Sequence, residues 1–271
     1  MKTAGTLCGM LLLLGLLPGQ AAEPPAIVLA STTSVQDSGL LTRILPRFTG
    51  ETGIQVRVLA QGSGQALATA ARGDADLVLV HDPDAEAAFM AAGHGISRTE
   101  IAWNDFVLVG PEADPAHVAG RPDATEALKA IAAASVPFVS RGDKSGTDAE
   151  EKRLWRAAGI LPSGAWYRDI GGGMGAALNA ASAMGAYTLS DRGTWLSYGN
   201  KVGMKIVLQG DRRLLNLYDV ILLNPRTHPD AKQAPARRLA DWLGSPEGQT
   251  AIGSYTKDGQ RLFHPEADPK P

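Results

Sequence analysis

The chain has 271 residues, 44% of them hydrophobic and 6% aromatic, and a formal net charge of −2. That balance excludes a disordered or fibrous chain and fits a globular α/β protein built as one large domain or two lobes. It also excludes recruitment to nucleic acid or to an acidic membrane surface by net charge, and no basic run or arginine-aromatic interleaving argues otherwise.

Residues 1–21 read as a targeting segment. Lys2 supplies the positive start, Leu7 to Leu17 the apolar stretch, and Gly19-Gln20-Ala21-Ala22 a small-residue cleavage site after Ala21 or Ala22. The apolar run is shorter than the ~20 residues that span a bilayer, and Pro18-Gly19 stops it, so a cleaved signal peptide is expected rather than an anchor. Cys8, the only cysteine, lies inside this segment. The mature chain is therefore expected to be exported and to carry no thiol, no disulfide and no thiolate metal site.

After residue 24 short apolar runs alternate with helical patterns, which predicts a parallel or mixed sheet flanked by helices. The candidate strands are Ile27–Ala30, Gln55–Leu59, Ala75–Val80, Phe106–Val109, Pro137–Val139, Ala186–Leu189, Ile206–Leu208 and Val220–Leu223. Leu41, Ile44, Leu45 and Phe48 share one helical face, with Pro46 expected to kink that helix; Leu67, Ala70 and Ala71 share another before a stop at Gly73. Asn104-Asp105-Phe106-Val107-Leu108-Val109-Gly110-Pro111 echoes Tyr218-Asp219-Val220-Ile221-Leu222-Leu223-Asn224-Pro225. Two similar strands far apart in the chain are what two crossings between lobes would look like.

Four strand-to-helix junctions offer hydrogen-bond donors. Ser31-Thr32-Thr33-Ser34 ends the first strand, Gln61-Gly62-Ser63-Gly64 follows the second, Ser140 to Thr147 follows the strand at Pro137, and Gly171-Gly172-Gly173-Met174-Gly175 precedes a helix-like run from Ala176 to Met184. A helix start exposes unpaired backbone N–H groups and the positive end of the dipole, and so favours an anion. Each junction alone is also what an ordinary cap looks like, with Ser63 read as such a cap; their number, in both halves of the chain, is what points to function. Asp148, Glu150 and Glu151 could satisfy the third start by themselves and would repel an anion set too deep. Arg141, a permanently charged planar donor just ahead of that turn, argues the other way.

An exported hydrolase is the rival class. A nucleophile elbow is absent, since Gly62-Ser63-Gly64 lacks its spacing, and Gly142 to Thr147 fails the spacing of a phosphate loop. His81, His94, His117, His228 and His264 form no metal-ligand spacing. His81 beside Asp82 and Asp84 is explained by a strand running into an Asp-Pro-Asp turn.

The order of exported N-terminus, Ser31-Thr32-Thr33-Ser34, Ser38-Gly39-Leu40-Leu41, Gly62-Ser63-Gly64, Asn104 to Pro111, Ser140-Arg141-Gly142-Asp143-Lys144-Ser145-Gly146-Thr147, Gly173-Met174-Gly175-Ala176, Asp191-Arg192-Gly193-Thr194 and Ser245-Pro246-Glu247-Gly248-Gln249 resembles the tungstate-specific periplasmic binding proteins of ABC importers. The likeness runs from Ile27 to about Phe263. The Ser140 to Thr147 motif and the hydroxyl run are specific to that group, while Ser245 to Gln249 is shared by many solute-binding proteins. Where the family usually has threonine first, this chain has Ser31, which keeps the hydroxyl.

The resemblance implies a two-lobed type II periplasmic binding-protein fold, α/β in class, with an oxyanion held in a cleft between lobes joined by two crossing strands. The expected division is residues 24–104 plus 219–271 for lobe 1 and 105–218 for lobe 2. Lobe 1 would offer Ser31, Thr32, Thr33, Ser34, Ser63 and Gly64; lobe 2 would offer Arg141, Ser145, Gly146 and Thr147, with Met174 and Gly175. The implied ligand is tungstate, with molybdate, sulfate or phosphate as alternatives. No cofactor, catalytic residue or metal cation is expected, and the partners are an ABC permease with its ATPase, in the periplasm, with the protein a monomer. Phosphate carries protons at neutral pH and needs a carboxylate acceptor, so Asp37 or Asp143 turned into the cleft would favour it. Whether Arg192 reaches the cleft or ties its lobe together is left open by the sequence.

Overall fold

The computed structural model describes residues 25–257 and 259–270, so the signal peptide expected at residues 1–21 and Cys8 lie outside the described residues. The first half follows the apolar runs. β1 (Ala26–Thr32) buries Ile27 and Leu29, α1 (Thr33–Ser38) and α2 (Leu40–Thr52) follow, and β2 (Gln55–Gln61) returns parallel to β1. Gly39, at φ 82°, separates the two helices in a left-handed conformation that glycine adopts without strain. α2 runs on through Pro46, which stands on its exposed face with Thr42 one turn earlier, where water can serve the carbonyl that proline leaves unpaired. α3 (Ser63–Ala71) leads to β3 (Leu77–Val80), parallel to β1 on its other side. β3 begins two residues later than the apolar run suggests; just ahead of it the Asp76 carboxylate accepts the N–H groups of Val28 and Lys232, each at 2.7 Å.

After α4 (Pro83–Ala91) comes β4 (Gly95–Pro111), 17 residues long, of which the sequence marked only the apolar centre. Its first part alternates exposed and half-buried residues and lacks a solid apolar run. The second half of the fold is α5 (Ala124–Ala134), β5 (Phe138–Ser140), α6 (Gly146–Ala157), β6 (Tyr167–Asp169), α7 (Met174–Met184), β7 (Tyr187–Asp191), α8 (Arg192–Ser197) and β8 (Met204–Leu208). β9 (Leu215–Leu223) returns to the first half, followed by α9 (Gln233–Gly244), α10 (Pro246–Gly253), the hairpin β10 (Thr256–Lys257) and β11 (Gln260–Arg261), and β12 (His264–Pro265) against β4.

The strands run β2-β1-β3-β9-β4-β7-β5-β6, and β8 and β12 also pair with β4. β4 is antiparallel to β9 from Gly95 to Asp105 and then changes partner, pairing with β7 from Phe106 onward. β9 pairs with β3 as well as β4. One core cluster, with Phe106, Ile131, Phe138, Trp155 and Tyr187, belongs to the second half; another, with Ala66, Leu67, Val78 and Phe89, lies under α3 and α4 in the first. A third joins Leu40, Ile44 and Phe48 to Leu239 and Trp242 and continues to Val107, Val139 and Leu178.

Candidate functional site

At the end of β5 the chain turns through Gly142 (φ 62°) and Lys144 (φ 59°) into α6. Gly142 is favoured by its left-handed φ, and a Cβ there would also displace the exposed Asp169 carboxylate. The turn is stitched by its own acids. Asp148 accepts the N–H of Gly142 (3.0 Å) and of Lys144 (3.2 Å), and Asp143 accepts the N–H of Ser145 (3.1 Å). Of the three carboxylates that the sequence set against an anion at this helix start, Asp148 is thus occupied in shaping the loop, Glu150 pairs with Arg153, and Glu151 accepts from Trp155 and Tyr167.

That loop carries Arg141 inward until its side chain is 1% exposed. Nη1 donates to Ser34 Oγ at 3.0 Å and to Thr147 Oγ1 at 3.4 Å, Nη2 donates to Thr33 Oγ1 at 3.0 Å and pairs with Asp143, and Nε has no protein partner among the described residues. A hydroxyl that accepts from a guanidinium points its own hydrogen elsewhere and is polarised to donate it. Arg141 therefore turns Thr33, Ser34 and Thr147 into a cluster of donors around one positive charge, which is the chemistry that holds an oxyanion.

Ser63 differs from the expectation. It is the first residue of α3, capped by Gly62 with no side-chain bond, and its Oγ accepts the N–H of Gly146 from the other half at 3.0 Å. With no cap, the N–H groups of the first turn of α3, Gly64 among them, have no helical partner. Thr32 does cap, its Oγ1 accepting the N–H of Val35 at 3.2 Å, and Ser145 caps α6 by accepting the N–H of Asp148 at 3.2 Å. Ser31 lies fully buried in β1 and donates its hydroxyl hydrogen to the Leu79 carbonyl at 2.9 Å, so that hydrogen is committed to the sheet. Gly146 packs where a Cβ would stand 2.7 Å from the His81 carbonyl oxygen. Met174 buries its side chain in the core and brings only backbone to the start of α7, while open space surrounds Gly175. The structure thus gathers Thr33, Ser34 and Thr147 on Arg141, places Ser63 on Gly146, and sets α7 against α1 through Gly173 and Thr33.

Arg192 is elsewhere. Its Nε and Nη2 hold both oxygens of Asp105 at 2.5 and 2.6 Å, and Nη2 also reaches Gln209 at 2.7 Å, which ties α8 to the strand where β4 changes partner. His81 escaped the sequence reading as a neighbour of this region. Its ring is stacked on Tyr218 at 4.9 Å with Nδ1 3.0 Å from Asn216 Oδ1, and burial pushes its pKa down to about 4, so it stands neutral at neutral pH. Burial pushes the Asp191 carboxyl up to about 6 and raises Asp37 above the usual carboxylate range, against the opposing pull of Arg141 and, for Asp37, of the Gly175 N–H. Among the described residues no group of three or more His, Cys, Asp or Glu side chains is placed to hold a metal ion, and no helix is long and apolar enough to cross a membrane.

The PBP superfamily domain matches residues 19–247. The chain belongs to that superfamily. It is 44% identical over 246 residues to the tungstate-binding protein TupA of Peptoclostridium acidaminophilum, covering 89% of this chain and 86% of that one, and so falls within that protein's family. Among solved structures it is similar to the tungstate ABC transporter protein of Geobacter sulfurreducens (42% identity, TM-score 0.78, 85% of this chain and 98% of the other). It is also similar to the tungstate-binding protein TupA of Desulfovibrio alaskensis G20 (42% identity, TM-score 0.77, 90% and 100%). The resemblance read from the motifs and the two-lobed binding-protein fold are both borne out by these relatives.

Proposed function

We propose that this protein is exported to the periplasm, captures tungstate in the cleft around Arg141, and delivers it to an ABC permease driven by its ATPase, without turning anything over. The observation that carries the reading is one buried guanidinium bonded to hydroxyls of both halves, Thr33 and Ser34 from one and Thr147 from its own. The reading divides the chain into lobes of residues 24–104 plus 219–271 and 105–218, supported by the change of partner in β4 between Asp105 and Phe106. The ligand set it takes is Ser31, Thr32, Thr33, Ser34, Ser63, Gly64, Arg141, Ser145, Gly146, Thr147, Met174 and Gly175, of which Ser31 is the least supported because its hydroxyl hydrogen goes to Leu79.

A fully ionised dianion suits this site better than a protonated one. The acceptor beside Arg141 that hydrogen phosphate would need is engaged: Asp143 holds Arg141 and accepts the Ser145 N–H. Molybdate has nearly the size and charge of tungstate, and tungstate is preferred on kinship. Calorimetric titration of the purified mature protein with tungstate, molybdate, sulfate and phosphate tests the reading. One tungstate site per monomer is expected, with stabilisation of roughly 2.7 kcal/mol at a hundredfold excess over Kd. No heat and no melting shift with any oxyanion would overturn it. Hydrolysis of a phosphate or acyl ester that Ser63→Ala or Ser145→Ala abolishes would return the protein to the enzymes.

A further inference from the structure

Arg153 lies on α6, two turns beyond Ser145, and reaches across to the other half. Its Nη1 is 3.0 Å from Asp84 Oδ2 and 3.3 Å from Asp82 Oδ1, both at the start of α4, while Nη2 holds Glu150 on its own helix at 2.8 Å. Asp82 and Asp84 are the acids beside His81 that a turn alone explains in the sequence. A turn and an N-cap use one of them: Asp82 caps α4, accepting from the Ala85 N–H at 3.5 Å. Asp84 is 79% exposed and makes no cap, yet its carboxylate faces Arg153. The contact sits one residue from His81, whose carbonyl is against Gly146, so it lies where the two halves touch beside the anion site.

We propose that Arg153 is a cross-cleft latch: its pairing with Asp82 and Asp84 sets the lifetime of the closed, anion-bound protein without touching the anion. This rests on the reading that the lobes part to admit an oxyanion. When they part, Arg153 keeps Glu150 on its own helix and loses the two aspartates. In the closed protein Arg153 stands among Glu150, Asp82 and Asp84 and offsets the repulsion between Glu150 and the two aspartates, so the latch resists opening more than it speeds encounter. Because the pair is reached by solvent, salt weakens it.

The test is stopped-flow tungstate kinetics on the mature protein and its Arg153→Ala variant at low and high salt. The latch requires dissociation about three- to tenfold faster in Arg153→Ala with association nearly unchanged, and a gap that narrows as salt rises. Asp84→Asn, exposed and therefore harmless to folding, should give a smaller increase, and the two changes together should be less than additive because they remove the same contact. Equal dissociation rates for the wild type and both variants, or equal changes in association and dissociation, overturn the latch and leave tungstate capture standing. Small-angle scattering of the anion-free protein judges the latch even where tungstate does not bind. At low salt the wild type should be more compact than Arg153→Ala, and identical radii would overturn the proposal independently of the ligand.

Discussion

Gly62 and Asp143 meet across the cleft so closely that a Cβ on Gly62 would stand 2.9 Å from the Asp143 carbonyl oxygen and 3.4 Å from that of Lys144. Gly62 itself has an ordinary extended backbone, φ −71° and ψ 152°, so alanine is compatible with its own conformation. The clash is backbone against methyl, which no rotamer change relieves. Gly62→Ala should therefore fold with stability within about 1 kcal/mol of the wild type, yet hold the lobes slightly apart and weaken tungstate binding by about tenfold or more. Melting curves without ligand, beside calorimetry, separate the two effects; unchanged affinity would show that the approach is not needed for capture.

Removing the charge at the centre should cost more than removing any hydroxyl. Arg141→Ala is expected to weaken tungstate binding about ten- to a hundredfold or more, since a charge-assisted hydrogen bond contributes roughly 1.5–3 kcal/mol. Arg141→Lys should recover only part, because its single, more strongly hydrated nitrogen replaces the two separated nitrogens by which the planar fork reaches Ser34 and Thr147 on one side and Thr33 on the other. Thr33→Val, which removes one polarised donor, should cost about 0.5–1.5 kcal/mol. Titration of folded variants decides, and a tight-binding Arg141→Ala protein would move the charged contact elsewhere.

Arg192 should behave as a structural residue. Its two-point pairing with Asp105 is partly buried, and it bonds none of the hydroxyls around Arg141, although Thr194 of the same helix donates to the Ser34 carbonyl at 3.3 Å. Arg192→Ala is expected to lower stability by about 1–3 kcal/mol while leaving tungstate affinity within about threefold. A large affinity loss at unchanged melting temperature would contradict this placement.

Glu151 predicts a pH signature. Burial raises its carboxyl to about 7 although Trp155 Nε1 and Tyr167 OH both donate to Oε1, at 3.0 and 2.7 Å. The folded state thus binds this proton more tightly than the unfolded state, whose value is near 4.5. The stability involved is fully present below about pH 4.5 and is lost as pH rises through about 7. Glu151→Gln keeps the acceptor and removes the titration, so relative to the wild type it should gain stability above pH 7, by at most about 3 kcal/mol, and nearly none at pH 4. Urea unfolding of both proteins across this range measures it; Asp191, raised to about 6, titrates in both and drops out of the difference.

The sequence by itself determined what short-range physics controls. Apolar runs marked eight strands, and the hydroxyl run and the Ser140 to Thr147 loop marked the helix starts from which the site is built, although the residue read as a cap, Ser63, is not one while Thr32 and Ser145 are. These signals act within one turn or one strand, so one stretch of chain suffices to read them. Only the tertiary structure decided the rest. Arg141 finds Ser34 107 residues away, Gly146 finds Ser63 83 residues away, and Arg192 finds Asp105 87 residues away. Ser63 looks like a cap locally and becomes an acceptor for the opposite half because Gly62 already begins its helix. β4 escaped notice as a long strand because its first part is half exposed and takes its stability from the ladder with β9, not from an apolar run. A capping bond depends on neighbouring residues alone, whereas a bond across the cleft depends on where two separately folded surfaces come to rest.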